Sequence, residues 1–135
     1  ALNIIQVSKF SMHDAMLLSE RIQKGGLIAI AGDRVPLMWG HTIPVQFLGS
    51  EADLPQGPYM LAKALGCPLF TLMAIKVAGN YQLSCRKISD AGGSVHSKSI
   101  DEAAQDFANT LEEGCLKSPF QWFNFYPFWQ RANHE

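Results

Sequence analysis

The most apolar window of the chain runs from Met60 to Ala78, and Lys63, Gly66, Pro68 and Lys76 interrupt it. Its uncharged part, Ala64 to Ile75, is twelve residues long, whereas a bilayer-spanning helix needs about twenty. Gly66 and Pro68 stop a helix, so the pattern predicts a helix from Pro58 to near Gly66, then a buried strand from Leu69 to Val77. Gly79-Asn80 is a turn signal, and Tyr81 to Lys87 is the expected hairpin partner.

The flanks read in the same way. Leu2 to Val7 is short and β-branched, hence a strand. Ser11 or Asp14 suits the cap of a helix whose apolar Met16, Leu17, Leu18 and Ile22 oppose Glu20, Arg21 and Lys24; Gly25-Gly26 ends it. Leu27-Ile28-Ala29-Ile30-Ala31 is a glycine-bounded apolar run, the pattern of a strand covered on both faces. Ile43 to Leu48 reads as a further strand, Gly49 to Gly57 as a turn-rich segment, and Ser89 to Ser99 as a polar loop. Ile100 to Leu116 repeats Ala103, Phe107, Leu111 and Cys115 at every fourth position and is a helix. Strands alternating with helices predict an α/β layered sandwich with a mixed, mostly parallel sheet and flanking helices.

With 135 residues, 47% of them apolar and 17% charged, the chain is sized and composed for one folded domain rather than a disordered segment. Its net charge of −1 gives no electrostatic case for nucleic acid. Charge is unevenly spread: residues 1–100 carry +3 and residues 101–135 carry −4. Of fourteen aromatic residues, seven fall between Phe120 and Trp129. Cys67, Cys85 and Cys115 are odd in number and form no CxxC pair, which argues against a disulfide framework or zinc site and for a reducing compartment. No basic segment followed by an apolar one opens the chain, so no signal peptide is expected here, and Ala1 in place of Met fits a processed product or an excised piece.

Three segments have chemistry to offer. Asp33-Arg34 follows an apolar run, where Arg34 suits a phosphate or carboxylate and Asp33 its orientation; the same dipeptide also suits a structural ion pair. Gln56-Gly57-Pro58 begins a helix, whose first-turn amides favour an anionic or oxygen-rich group, although Gly-Pro is also an ordinary helix start. The terminal Pro119 to Trp129 run supplies Trp122, Tyr126 and Trp129, ring types that prefer a membrane–water boundary, with packing of most of the rings onto the core as the alternative. His96 and Asp101 have His-x4-Asp spacing, but Asp101 reads as a first-turn helix carboxylate.

Four blocks in order carry a resemblance: Gly26 to Val35, Val45 to Pro58, Ala62 to Pro68, and Pro119 to Trp129. Together they resemble the C-terminal half of the lysophospholipid acyltransferase superfamily, in the branch similar to lipid A biosynthesis lauroyl/myristoyl acyltransferases. The resemblance implies transfer of a fatty acyl group from an acyl-carrier-protein or CoA thioester to a hydroxyl of a lipid or glycolipid. It implies work at the cytoplasmic face of a bacterial inner membrane, with no cofactor, no metal and no nucleic-acid partner. Asp33 and Arg34 fall at the family's arginine-bearing block, and Gln56, Gly57 and Pro58 at its acceptor-binding block, with Gln56 where many relatives have an acid. The family's catalytic His-x4-Asp/Glu lies upstream of the arginine block. Nothing in residues 1–33 supplies it, since His13 is followed by Leu17 and Leu18 where the acid belongs. No catalytic residue is therefore expected in this chain, which reads as the acceptor- or acyl-binding C-terminal portion of such an enzyme or, alternatively, as a non-catalytic lipid- or acyl-carrier-protein-binding module.

Overall fold

A computed structural model of the chain describes residues 4, 11–35, 40–91, 94, 96–125 and 127–129. The chain divides into two compact units, Ala1–Ile30 and Ala31–Glu135. The strand expected over Leu2–Val7 lies outside the described residues, except for Ile4, which is exposed.

The first unit is built on α1 (Met12–Gln23). A reciprocal box caps it: Ser11 Oγ accepts from the Asp14 amide, and the Asp14 carboxylate accepts from the Ser11 amide at 2.8 Å. After α1 the apolar run Leu27–Ala31 is irregular rather than a strand, and Leu27 is exposed. A strand covered on both faces needs neighbours along both edges, and among the described residues none pairs with this run.

The second unit contains β1 (Thr42–Phe47), β2 (Ser50–Pro55), α2 (Gly57–Leu65), β3 (Leu69–Val77), β4 (Asn80–Ser89), α3 (Ile100–Lys117) and a 3-10 turn, Pro119–Gln121. Its strands form two separate antiparallel pairs, β1–β2 and β3–β4. The expected mostly parallel sheet is therefore wrong, and the turns explain why. Parallel neighbours need a long crossover. Here Leu48-Gly49 and Ala78-Gly79 each close a hairpin in two residues, all four with positive φ (49°, 80°, 48° and 86°), the twist that matches antiparallel strands. The segment read as turn-rich is mostly β2: its turn consumes only Leu48 and Gly49, and Ala52 and Leu54 then alternate inward opposite Val45 and Ile43. Leu48, an unusual residue for this conformation, is held by its amide donating to Glu112 Oε2 at 2.6 Å.

The helix and hairpin of the 60–89 region form as expected. Gly66 adopts the left-handed conformation (φ 61°) that ends α2, and the amides of Gly66 and Cys67 return to the carbonyls of Lys63 and Ala62. Ser99 caps α3 with Glu102 in a second reciprocal box, and Asp101 lies in the first turn as its sequence position implied.

The core lies between α3 and β1–β2. Ala103, Ala104, Ala108, Leu111 and Cys115 of α3 are buried, together with Ile43, Val45, Phe47, Ala52 and Leu54. Small side chains on α3 let the hairpins approach closely. At Gly114 a Cβ would stand 2.5 Å from Met73 Cε, so the glycine leaves room for the β3 side chain. Phe47 and Leu54 are the largest fully buried side chains, each 1% exposed.

Phe47→Ala is expected to cost about 3–5 kcal/mol in denaturant unfolding, because it leaves a cavity where four elements meet; a loss under about 1 kcal/mol would remove Phe47 from the centre of the core. The capping bond from Ser99 holds the Glu102 carboxyl below its ordinary value. A depressed carboxylate stabilises the fold above the ordinary glutamate range, and that share is lost as pH falls through the lowered value. The melting-temperature advantage of the natural chain over Glu102→Gln should thus be full at neutral pH and vanish in acid.

Candidate functional site

The loop after Ala31 lies over α3. A Cβ on Gly32 would stand 3.6 Å from the Phe107 ring, and Asp33 and Arg34 continue from this contact. Arg34 Nη2 donates to the Phe123 carbonyl at 2.9 Å, and Arg34 Nε stands 4.0 Å from Asp33 Oδ2. The arginine singled out from sequence is thus tied to the aromatic terminus, 89 residues away in sequence, with Asp33 on its other side.

The terminus sorts its rings into two sets. Trp122, Phe128 and Trp129 surround Phe47. Trp122 meets it edge-on at 5.2 Å, Phe128 tilts against it at 5.3 Å, and Trp129 stacks on it at 6.1 Å. Trp129 Nε1 also donates to the Phe47 carbonyl at 3.2 Å. Of the three rings proposed from sequence for a membrane boundary, Trp122 is packed against the core, Trp129 keeps an exposed edge (43%), and Tyr126 lies outside the described residues. The most exposed rings of the described terminus are Phe120 (93%), Phe123 (62%) and Phe125 (89%), none of which the preference for Trp and Tyr selects. Phe123 and Phe125 stand 6.4 Å apart. Because Arg34 holds the Phe123 carbonyl, a guanidinium and an exposed apolar pair share one patch.

Gln121 fixes the start of this terminus. Its carboxamide accepts from the Lys76 amide at 2.7 Å and donates to the Lys76 carbonyl at 2.8 Å, so a side chain pairs the β3 edge as a strand would. Asn124 Oδ1 is buried with no donor among the described residues.

Gln56-Gly57-Pro58 sits where it was expected, at the start of α2. Gln56 makes no side-chain cap bond, its amide donates to the His41 carbonyl at 2.9 Å, and the Cα of Gly57 faces open space. Arg34 and Gln56 are held by different partners, Phe123 and His41. Behind this helix start, Tyr59, Lys63, Cys67, Asp90, Lys98 and Ser99 line a cleft of about 30 Å³, room for one or two waters. Tyr59 is buried there, and desolvation pushes its hydroxyl up. The hydrogen bond from Lys87 holds the Asp90 carboxyl down. A cleft of this size holds no acyl chain.

His96 and Asp101 share no hydrogen bond or ion pair among the described residues; the His96 amide bonds Ser94 Oγ instead. Cys115 is buried on α3, as its position on the apolar face implied, and burial pushes its thiol up. No group of three or more His, Cys, Asp or Glu side chains among the described residues is placed to hold a metal ion. No described helix is long and apolar enough to cross a membrane. Comparison with models of known protein families and with curated proteins finds no match to either.

Removing the Gln121 carboxamide in Gln121→Ala should leave the Lys76 amide without its acceptor and speed its hydrogen exchange by about tenfold, the worth of one hydrogen bond. Unchanged exchange at Lys76 would show that the terminus does not rest on this edge.

Proposed function

We propose that the chain is the C-terminal, acceptor- or acyl-binding portion of an acyltransferase. The enzyme moves a fatty acyl group from an acyl-carrier-protein or CoA thioester to a hydroxyl of a lipid or glycolipid. It works at the cytoplasmic face of the bacterial inner membrane, held there peripherally. The observation that carries this reading is the joining of Arg34 to the terminus through the Phe123 carbonyl, beside the exposed rings of Phe123 and Phe125. A cation beside apolar rings is the composition of a site for an amphiphile, with the guanidinium toward an anionic headgroup and the rings toward hydrocarbon. The order of the four blocks in the sequence supports the same reading.

The chemistry divides between what this chain holds and what it lacks. Attack of an acceptor hydroxyl on a thioester needs a general base for the hydroxyl proton and donors for the developing oxyanion. Arg34 and the first-turn amides of α2 are anion-binding groups; among the described residues His96 shares no hydrogen bond or ion pair with Asp101. The chain alone therefore binds and does not turn over, and the base comes from polypeptide that precedes the arginine block.

The isolated chain should release no thiol from a long-chain acyl-CoA above background; release dependent on the chain would overturn the division of labour. His96→Ala in the complete enzyme should leave turnover unchanged. Replacing Phe120, Phe123 and Phe125 together with Ser should weaken binding to phosphatidylethanolamine–phosphatidylglycerol vesicles by at least about tenfold, since each ring contributes on the order of 1 kcal/mol of apolar transfer even when partly inserted. Equal binding would detach these rings from the membrane.

A further inference from the structure

The cleft behind the start of α2 holds groups whose bonding is unfinished. Tyr59 is 5% exposed, and its hydroxyl has no hydrogen-bond partner among the described residues. Burial pushes that hydroxyl up, so it stays a neutral O–H donor across the physiological range. Ser97, half-buried on the same lining, has a second hydroxyl without a partner among the described residues. The other polar groups of the lining are engaged. Ser89 Oγ donates to the Asp90 carbonyl at 3.2 Å and accepts from the Lys98 amide at 3.0 Å, and Ser99 Oγ accepts from the Glu102 amide at 3.2 Å. Asp90 is paired with Lys87 at 2.7 Å, and Lys98 with Asp106. Lys63 is the remaining charged residue of the lining, and its ammonium has no hydrogen bond or ion pair among the described residues. A buried polar group without a partner costs stability, and a ligand that supplies the partner recovers it.

We propose that this cleft binds a carboxylate, one oxygen accepting from the Tyr59 hydroxyl and the other facing the Lys63 ammonium. The inference stands apart from the acyltransferase reading and makes no use of the aromatic terminus. Charge selects the class of ligand. With Asp90 and Lys98 each neutralised by its own partner, the lining is left with the positive charge of Lys63, which a monoanion balances. Hydrogen bonding selects in the same direction. The two hydroxyls and the ammonium all have protons to donate, and an ionised carboxylate only accepts. Water would satisfy the hydroxyls and leave the charge unmatched. Size narrows the choice further: the cleft of about 30 Å³ has room for one or two waters, close to the space that the two oxygens of a carboxylate fill, whereas tetrahedral phosphate brings four. Whatever carries the carboxyl group stays outside. A short free acid and the head of a fatty acid therefore present the same chemistry here. Cys67 shares the lining, its thiol directed to the Ala62 carbonyl at 3.8 Å, so a bound carboxylate shields it.

Cys67 reports occupancy, and exposed Cys85 is the reference within the same chain. A ligand this small, held by a few polar contacts, has a dissociation constant on the order of 1 mM. By mass action, about 10 mM sodium acetate should then slow alkylation of Cys67 by iodoacetamide about tenfold. Cys85 should react at its usual rate, and sodium chloride at the same concentration should protect neither thiol. Tyr59→Phe keeps the ring in the core and should raise the acetate concentration needed by at least about tenfold, the worth of a hydrogen bond to a charged group. Lys63→Met, which loses an exposed charge, should raise it about threefold. Without acetate, the melting temperature of Tyr59→Phe should be no lower than that of the natural chain. A lower one would show the hydroxyl already satisfied within the fold and overturns the proposal. Decanoate separates the two sources: protection at the same concentration as acetate assigns the site to a short free acid, and protection at far lower concentration to the head of a fatty acid. Absence of protection by either acid, equal protection by chloride or inorganic phosphate, or protection that survives Tyr59→Phe unchanged overturns the proposal.

Discussion

Phe47 is the point on which the second unit turns. Its side chain ends β1, faces α3 through the shared core, and is ringed by Trp122, Phe128 and Trp129. Its carbonyl accepts from the Trp129 indole. One residue thus joins sheet, helix and terminus by both side chain and backbone. The edge-on and tilted ring arrangements add directional attraction to the area they bury. The position of Arg34 follows from this cluster, because the carbonyl it holds belongs to the residue after Trp122. Packing at Phe47 therefore places the cation beside the exposed rings, and the candidate site is a consequence of the core.

Where the sequence was legible, local chemistry decided the outcome. Gly66 and Pro68 end α2, Ser99 and Glu102 start α3, and Gly79-Asn80 marks a hairpin; each works within four residues of itself. The strand order was not legible, because Leu48-Gly49 is a weak signal: leucine at a positive φ is unusual, and what stabilises it there is Glu112, 64 residues away in sequence. Without that turn β2 reads as a loop, and the glycine-bounded Leu27–Ala31 run, whose own pattern suits a covered strand, pairs with no strand among the described residues. The sheet type followed from one turn.

The site shows the same division. Asp33-Arg34 was legible as a polar pair after an apolar run, yet its partner was not, since a backbone carbonyl has no sequence signature. The terminus was legible as a cluster but not in its facing. Trp and Tyr prefer an interface, but the same amphipathic shape suits a core edge, where Trp129 satisfies its N–H on Phe47. The exposed places went to Phe120, Phe123 and Phe125. Facing depends on where Gln121 pins the chain to Lys76, a contact 45 residues apart that no local pattern encodes.

The apolar surfaces left outside the core differ in kind, and the difference follows from how each is held. Phe120 sits in the 3-10 turn and Phe123 and Phe125 on the irregular backbone after it, anchored at Gln121 and Arg34. The outer face of β3–β4 sits on a ladder in register from Phe70 to Val77, with side chains at fixed two-residue spacing. A rigid, regular array gains little from a disordered solvent of hydrocarbon tails and much from an equally regular partner, because close packing rewards complementary shape at every contact. A two-stranded hairpin is also marginal by itself and draws stability from what lies on it. α3 supplies that support through β3, where Met73 lies over Gly114, while Gln82, Ser84 and Arg86 of β4 on the same face stay exposed.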